Sequence, residues 1–270
     1  MTVAKEFTFS QSSMQSYLNC PYQFYLKYVR HLDWPSALLD PWNPAEVERQ
    51  SGIRFHQLVH NHFLGVKDTL LEKHAQQDSD PKMADWLSNF KNSALIPEGE
   101  STYPELLVYA SLAGYNFSAK FDLLLLSDKN IHIFDWKTSK CSPKAEWLRK
   151  RVQTHLYPLL AISEHQRSFP GNNPLEIIFT YWEASFPDQP IQFTFEQADI
   201  QFAQKIVINL ASEITAKPLE SFNKTARIER CNYCLFRTYC QRPTANSYNL
   251  ELEHELLFSG QDIIEISEEN

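Results

Sequence analysis

The chain has 270 residues, 43% hydrophobic and 21% charged, an ordinary globular composition that excludes a collagen, a coiled coil or a disordered chain. With 25 basic and 33 acidic residues its net charge is −8, which taken alone argues against a nucleic-acid partner. The distribution of charge removes that objection: Glu251, Glu253, Glu255, Asp262, Glu265, Glu268 and Glu269 occupy a segment without Lys or Arg, so residues 1 to 250 carry only about −1.

The first ten residues lack the apolar core of a secretory signal, and no apolar run approaches the roughly 18 residues of a membrane helix, so a soluble, cytoplasmic protein without membrane contact is expected. Five cysteines are too few for a disulfide scaffold; an odd count in such a chain points first to metal binding or catalysis. The length predicts one elaborated domain over residues 1–245, followed by an acidic tail over 246–270.

In chain order, Ser10 is a helix cap, and Met14, Tyr17, Leu18, Phe24, Tyr25 and Tyr28 keep helical spacing across an interruption at Cys20-Pro21. Pro44 opens a helix whose stripe is Phe55, Leu58, Val59 and Phe63, ending near Gly65. Residues 67 to 100 read as a polar surface excursion with one short helix at 81–92. From Thr102 the period becomes two, giving an antiparallel meander of three strands: one around Leu106–Tyr109, a second over Phe117–Leu126 and a third over Ile131–Trp136. A helical stretch from Pro143 to about His165 follows, with a kink at Pro158, then strands at 175–182 and 191–195 and a helix from Glu196 to Ile214. The class is α/β. The segment after Lys217 has little periodicity but carries three cysteines, so a metal is a candidate for holding it.

Asp122 opens the second strand of the meander on this reading, and Asp135-Trp136-Lys137 ends the third. Side chains two apart share a face, so Asp135 and Lys137 lie together, with the Trp136 carbonyl a further oxygen donor. Two carboxylates converging with a lysine suit a hard cation such as Mg²⁺ and phosphodiester hydrolysis; a surface hairpin ending in an ion pair is the plainer alternative. Two basic runs, Lys137 to Arg151 and Lys224 to Arg242, are either solvated faces or phosphate contacts.

Several motifs in order resemble the PD-(D/E)xK nucleases, in the RecB-like branch that includes CRISPR-associated and AddB-type iron–sulfur exonucleases. These are Ser10 to Phe24 with Cys20, Gly52-Ile-Arg-Phe-His56, Lys120-Phe-Asp122, Phe134-Asp135-Trp136-Lys137-Thr-Ser, Gln153-Thr-His-Leu-Tyr157 and Cys231-x2-Cys234-x5-Cys240. Ala119 stands where the family often has Gly. The resemblance implies a restriction-endonuclease-like core, a mixed central sheet flanked by helices. Residues 10–30 and 217–242 would form a lobe clamped by a four-iron four-sulfur cluster on Cys20, Cys231, Cys234 and Cys240, with zinc the alternative. It further implies Mg²⁺ or Mn²⁺ held by His56, Asp122, Asp135 and Trp136, with Asp122, Asp135 and Lys137 catalytic. Glu105 is either an outer carboxylate near the metal or a strand-end charge, and Cys141 is a bystander thiol. Gln153 and Tyr157, one turn apart, would face DNA together with Lys140, Arg149 and Arg151, unless that helix face is simply half-buried.

The implied function is DNA cleavage, exonucleolytic, in repair or recombination, beside a helicase or integrase partner. The other classes are a CRISPR adaptation nuclease, a cluster-stabilised nucleic-acid-binding accessory subunit and a zinc-clamped scaffold.

Overall fold

Six strands build one mixed sheet: β1 (Thr8–Ser10), β2 (Ser101–Leu112), β3 (Tyr115–Leu126), β4 (Asn130–Lys137), β5 (Glu176–Glu183) and β6 (Ile191–Thr194). The structure is a computed structural model that describes residues 2–32, 44–93, 95–97, 101–139, 141, 142 and 144–242. Strands β2, β3 and β4 form the expected antiparallel meander, while β3 also carries β1 in parallel along its first half. Strand β5 runs parallel to β4 along the whole of Asn130–Lys137, and β6 closes that edge antiparallel. A parallel neighbour requires a crossover, supplied here by α6 (Ala145–Arg149) and α7 (Val152–Ser168).

Each face of the sheet is covered by helices, which is why β3 and β4 read as nearly continuous apolar runs. On one face α1 (Gln11–Asn19), α7 and α8 (Gln197–Ala216) bury Met14, Tyr17, Leu156, Leu160, Val207 and Leu210 against Phe117, Phe121, Ile133 and Phe179. On the other, α3 (Pro44–Phe63), α4 (Asp68–Gln76) and α5 (Met83–Asn92) bury Phe55, Val59, Leu71, Trp86 and Phe90 against Leu123, Phe134, Trp136 and Trp182. Fully burying one such side chain stabilises the fold by about 1.5–3 kcal/mol relative to exposure.

Ser10 caps α1 as expected, in a capping box with Ser13. Cys20 is the joint between α1 and α2 (Pro21–Phe24), whose first residue, Pro21, lacks the N–H that a helix start leaves unbonded.

Three expectations are corrected. Residues 67 to 100 are not a mere excursion: α4 and α5 supply Leu71, Ala75, Met83, Trp86, Leu87 and Phe90 to the second core. A polar average had hidden two narrow apolar stripes. The stretch from 143 to 165 is two helices, broken at Lys150–Arg151, with Pro158 lying inside α7. The Thr154 hydroxyl stitches that break by donating to the Leu148 carbonyl. Asp122 does not open its strand; it sits inside β3, at the step where the strand changes face.

Candidate active site

The period-two alternation of β3 slips at Asp122. Phe117, Ala119 and Phe121 lie in the first core, but so do Leu124 and Leu126, while Leu123 and Leu125 lie in the second. The partner strand keeps register but skips this rung: Pro104 pairs with Leu123 and Leu106 with Phe121, and Glu105, between them, has φ of +53°. A left-handed conformation costs a non-glycine residue about 1–2 kcal/mol. Here it presents the Glu105 carboxylate beside that of Asp122.

The ladder between β3 and β4 also ends here, at Leu123 and Phe134. Beyond it the sheet opens, and the Trp136 N–H finds the Asp122 carboxylate instead of a strand, donating to Oδ2 at 2.8 Å. The other oxygen, Oδ1, lies 3.1 Å from His56 Nδ1. Helix α3 brings His56 close because Gly52, one turn earlier, faces the chain just after β4: a Cβ there would stand 3.1 Å from Thr138 Oγ1. Phe55, Leu58 and Val59 seat the helix in the second core.

Opposite Asp122, Lys137 ends β4 with Nζ 2.5 Å from Asp135 Oδ2 and 3.5 Å from Gln153 Oε1. Gln153 Nε2 in turn donates to Asp135 Oδ1 at 2.5 Å. One buried amide therefore holds the acid and faces the lysine. Glu183, at the end of β5 and 3% exposed, accepts from the Ser139 N–H at 3.0 Å and from the Ser139 hydroxyl at 3.1 Å. The Ala184 N–H reaches the Lys137 carbonyl at 2.8 Å, so β5 grips the chain on both sides of Thr138.

Electrostatics separates the two aspartates. Burial opposes ionisation of Asp122, but His56, Lys137 and the Trp136 N–H outweigh it and hold the carboxyl below the usual carboxylate range. At Asp135 burial prevails, aided by the Asp122 charge and opposed by Lys137, and the carboxyl is pushed up. Burial disfavours His56 as a cation; the charge and hydrogen bond of Asp122 overcome it and raise the imidazole. Burial likewise lifts Glu183 to about 7 against the two Ser139 bonds and Lys137.

Among the described residues, His56, Glu105 and Asp122 offer ligand atoms all within 4.8 Å of one another, a spacing one divalent ion with bonds of roughly 2.0–2.2 Å can bridge. Two acids converging with a histidine fit such an ion. Of the expected set of His56, Asp122, Asp135 and Trp136, the first two lie in this group beside Glu105, Asp135 pairs with Lys137 and Gln153 next to it, and the Trp136 N–H donates to Asp122.

Gln153 and Tyr157 do not face a groove. They are 2% and 5% exposed, because α7 packs them beneath the sheet. Tyr157 donates to the Lys120 carbonyl at 3.0 Å and stacks on Phe179, supporting β3 two residues before Asp122. Arg149 is exposed at the end of α6 with its guanidinium 4.8 Å over the Phe193 ring, and Arg151 is half-buried just before α7. Lys140 and the acidic tail lie outside the described residues. Lys120 is exposed and paired with Glu105. Glu183 was missed: one acid ending an apolar strand carries no motif, though its place at the carboxyl end of the parallel strand beside Asp135-Trp136-Lys137 is a usable signal.

The second constellation lies at the chain ends. Cys20, Cys231, Cys234 and Cys240 are all free thiols lining one cavity of about 70 Å³. Burial, with the neighbouring cysteines, pushes up the thiols of Cys231 and Cys240, and that of Cys234 to about 12. The basic run 224–242 is wrapped around them. Lys224 donates to the Cys240 carbonyl at 3.1 Å, Arg230 to the Leu18 carbonyl at 2.9 Å and Arg242 to the Thr225 carbonyl at 3.0 Å. Two of these bonds close the turns on themselves, and Arg230 joins them to the last turn of α1.

A mixed sheet that opens around His56, Glu105, Asp122, Asp135 and Lys137 defines a hydrolase-like acidic centre. The family model of the PD-(D/E)XK nuclease superfamily matches residues 8–241, and the chain belongs to that superfamily. No curated protein matches the sequence. Among solved structures, a protein of Eubacterium rectale assigned as an exonuclease superposes with a TM-score of 0.56 at 11% identity, covering 92% of each chain, which supports the fold. A protein designated SSO0001 gives a TM-score of 0.43 at 16% identity over 90% of each chain. No helix of the described residues is long and apolar enough to cross a membrane.

Proposed function

We propose that the protein is a metal-dependent deoxyribonuclease, acting as an exonuclease in DNA repair or recombination. The observation that carries this reading is the convergence of His56, Glu105 and Asp122 within 4.8 Å, beside an Asp135–Lys137 pair. His56, Glu105 and Asp122, with Asp135 adjoining, would hold Mg²⁺ or Mn²⁺, which when bound would supply positive charge at the scissile phosphate and make a nearby water easier to deprotonate. The chain's own groups do the rest. Lys137 Nζ, fixed by Asp135, orients the attacking water for in-line attack on phosphorus and offsets charge gathering there. Gln153 fixes Asp135; Glu183 fixes the turn that follows Lys137.

Four free thiols lining one cavity, one from the joint after α1 and three from the turns after α8, support a four-iron four-sulfur cluster, with zinc the alternative. Cys20, Cys231, Cys234 and Cys240 would hold the cluster, whose role is structural, joining α1 and α2 to the turns after α8.

The test is digestion of end-labelled linear and closed circular DNA, single- and double-stranded, with Mg²⁺ or Mn²⁺, by protein purified without oxygen. Metal-dependent loss of linear DNA, with circles spared and Lys137→Ala inert, is the expected result. Cleavage of circles would replace the exonuclease with an endonuclease, and no cleavage by cluster-loaded protein would leave a binding subunit.

A further inference from the structure

A groove of about 710 Å³ runs between α2 and the turns after α8, away from the acidic centre's own residues, lined by Tyr22, Tyr25, Leu219, Glu220, Phe222 and Lys224 among others. The rings of Tyr22 and Tyr25 lie 6.0 Å apart with planes inclined by only 26°, a nearly parallel stacked pair at the groove wall. Phe222, itself buried, backs Tyr25 at 6.1 Å and stiffens the shelf. Lys224 Nζ sits 5.7 Å over the Tyr22 ring, and Arg30 donates to the Tyr25 hydroxyl at 3.4 Å. Exposed Lys27 follows on the next turn, over Tyr28. Two cations, Lys224 and Arg30, thus stand at the two tyrosines, and Glu220 is the one acid among the groove's lining residues.

We propose that this groove is a subsite for unpaired DNA, in which Tyr22 and Tyr25 stack on bases while Lys224 and Arg30 meet phosphates. Aromatic faces accept any base, and interleaved cations track the backbone. An acidic peptide would match the charge but not two parallel ring faces, and a duplex keeps its base faces hidden. The groove is of small-molecule size, within the range of roughly 300–1,000 Å³, which suits a short run of single strand. The choice of ligand rests on the nuclease reading. The substrate it adds is an end or overhang held by its bases, apart from the phosphate at the acidic centre.

Fluorescence anisotropy in EDTA, so that nothing is cut, measures binding of labelled oligothymidylate and of a blunt duplex of equal length. Tyr22→Ala with Tyr25→Ala is expected to weaken oligothymidylate binding roughly tenfold or more, and the duplex little. Phenylalanine at both positions keeps the ring faces and is expected to stay within about twofold of wild type. Lys224→Ala is expected to lower the salt slope of binding by about one. In wild type, photo-crosslinking of a 5-iodouracil oligonucleotide is expected to map to the peptide holding Tyr22 and Tyr25, a readout that needs no variant to fold. Unchanged single-strand binding by the alanine variant, or crosslinks only elsewhere, in a protein that cleaves DNA overturns the groove alone. Wild type that neither binds nor cleaves DNA overturns the nuclease reading and the groove with it.

Discussion

The acidic centre and the cysteine lobe both gather residues that are distant in sequence, yet by opposite means. The acidic centre hangs on a sheet with a hydrophobic core on each face, so α3, β2, β3, β4 and α7 would hold His56, Glu105, Asp122, Asp135 and Gln153 in place without an ion. The lobe after α8 is made of short turns, contributes among the described residues only Phe222, Cys231 and Phe236 to the buried set, and is tied to α1 through Arg230 and a Thr225 N–H bond to Cys20 Sγ. A site built on a packed sheet is pre-organised; a site built on turns depends on what the thiols hold.

Removing a group from each region tests that contrast. The largest effect is expected from Lys137→Ala, which should cut kcat by about 10²–10⁴-fold, measured on single-turnover cleavage, while the melting temperature stays near wild type. Cys234→Ser should do the reverse: loss of iron by absorbance and rapid proteolysis after Ala216, with the sheet still protected in hydrogen exchange.

Glu183→Gln should reduce kcat by roughly tenfold with KM unchanged and speed exchange of the Ser139 amide, since one of its two acceptor oxygens is lost. It also carries a pH signature. The folded carboxyl titrates near 7 against an ordinary 4.5, so the folded state binds the extra proton, and wild-type stability should fall as pH rises from 4.5 through 7, by on the order of 3 kcal/mol. The glutamine variant should lack that fall in urea melts. Least of all, Tyr157→Phe should cost about 1 kcal/mol for its bond to the Lys120 carbonyl, a shift of roughly 2–4 °C in melting temperature.

What was legible in the sequence followed chemistry with short-range geometry. Asp135 and Lys137 share a face because strands alternate, and they meet at 2.5 Å; the capping of α1 by Ser10 and the joint at Cys20 were equally local. Gln153 and Tyr157 were found as a pair one turn apart, but not their direction, because a helix buried on nearly every side gives no amphipathic clue. Glu105 was readable only as one of two alternatives, because its place depends on a left-handed step in β2, and Glu183 not at all, because it depends on a parallel neighbour that arrives some forty residues later. The basic run 224–242 was open between a solvated face and a phosphate surface; Arg230 and Arg242 fold around the cysteine turns, while Lys224 bonds the Cys240 carbonyl and also lies over the Tyr22 ring, since charge alone does not say which groups it will meet.

The central claim is that a hard divalent ion sits among His56, Glu105 and Asp122. Crystals soaked in Mn²⁺ and measured at its absorption edge test it directly. The account predicts one strong anomalous peak within about 2.0–2.3 Å of the His56 imidazole and of a carboxylate oxygen of Glu105 and Asp122, lost in Asp122→Asn. A Mn²⁺-saturated crystal with no peak there, or with its only peak elsewhere, would contradict it.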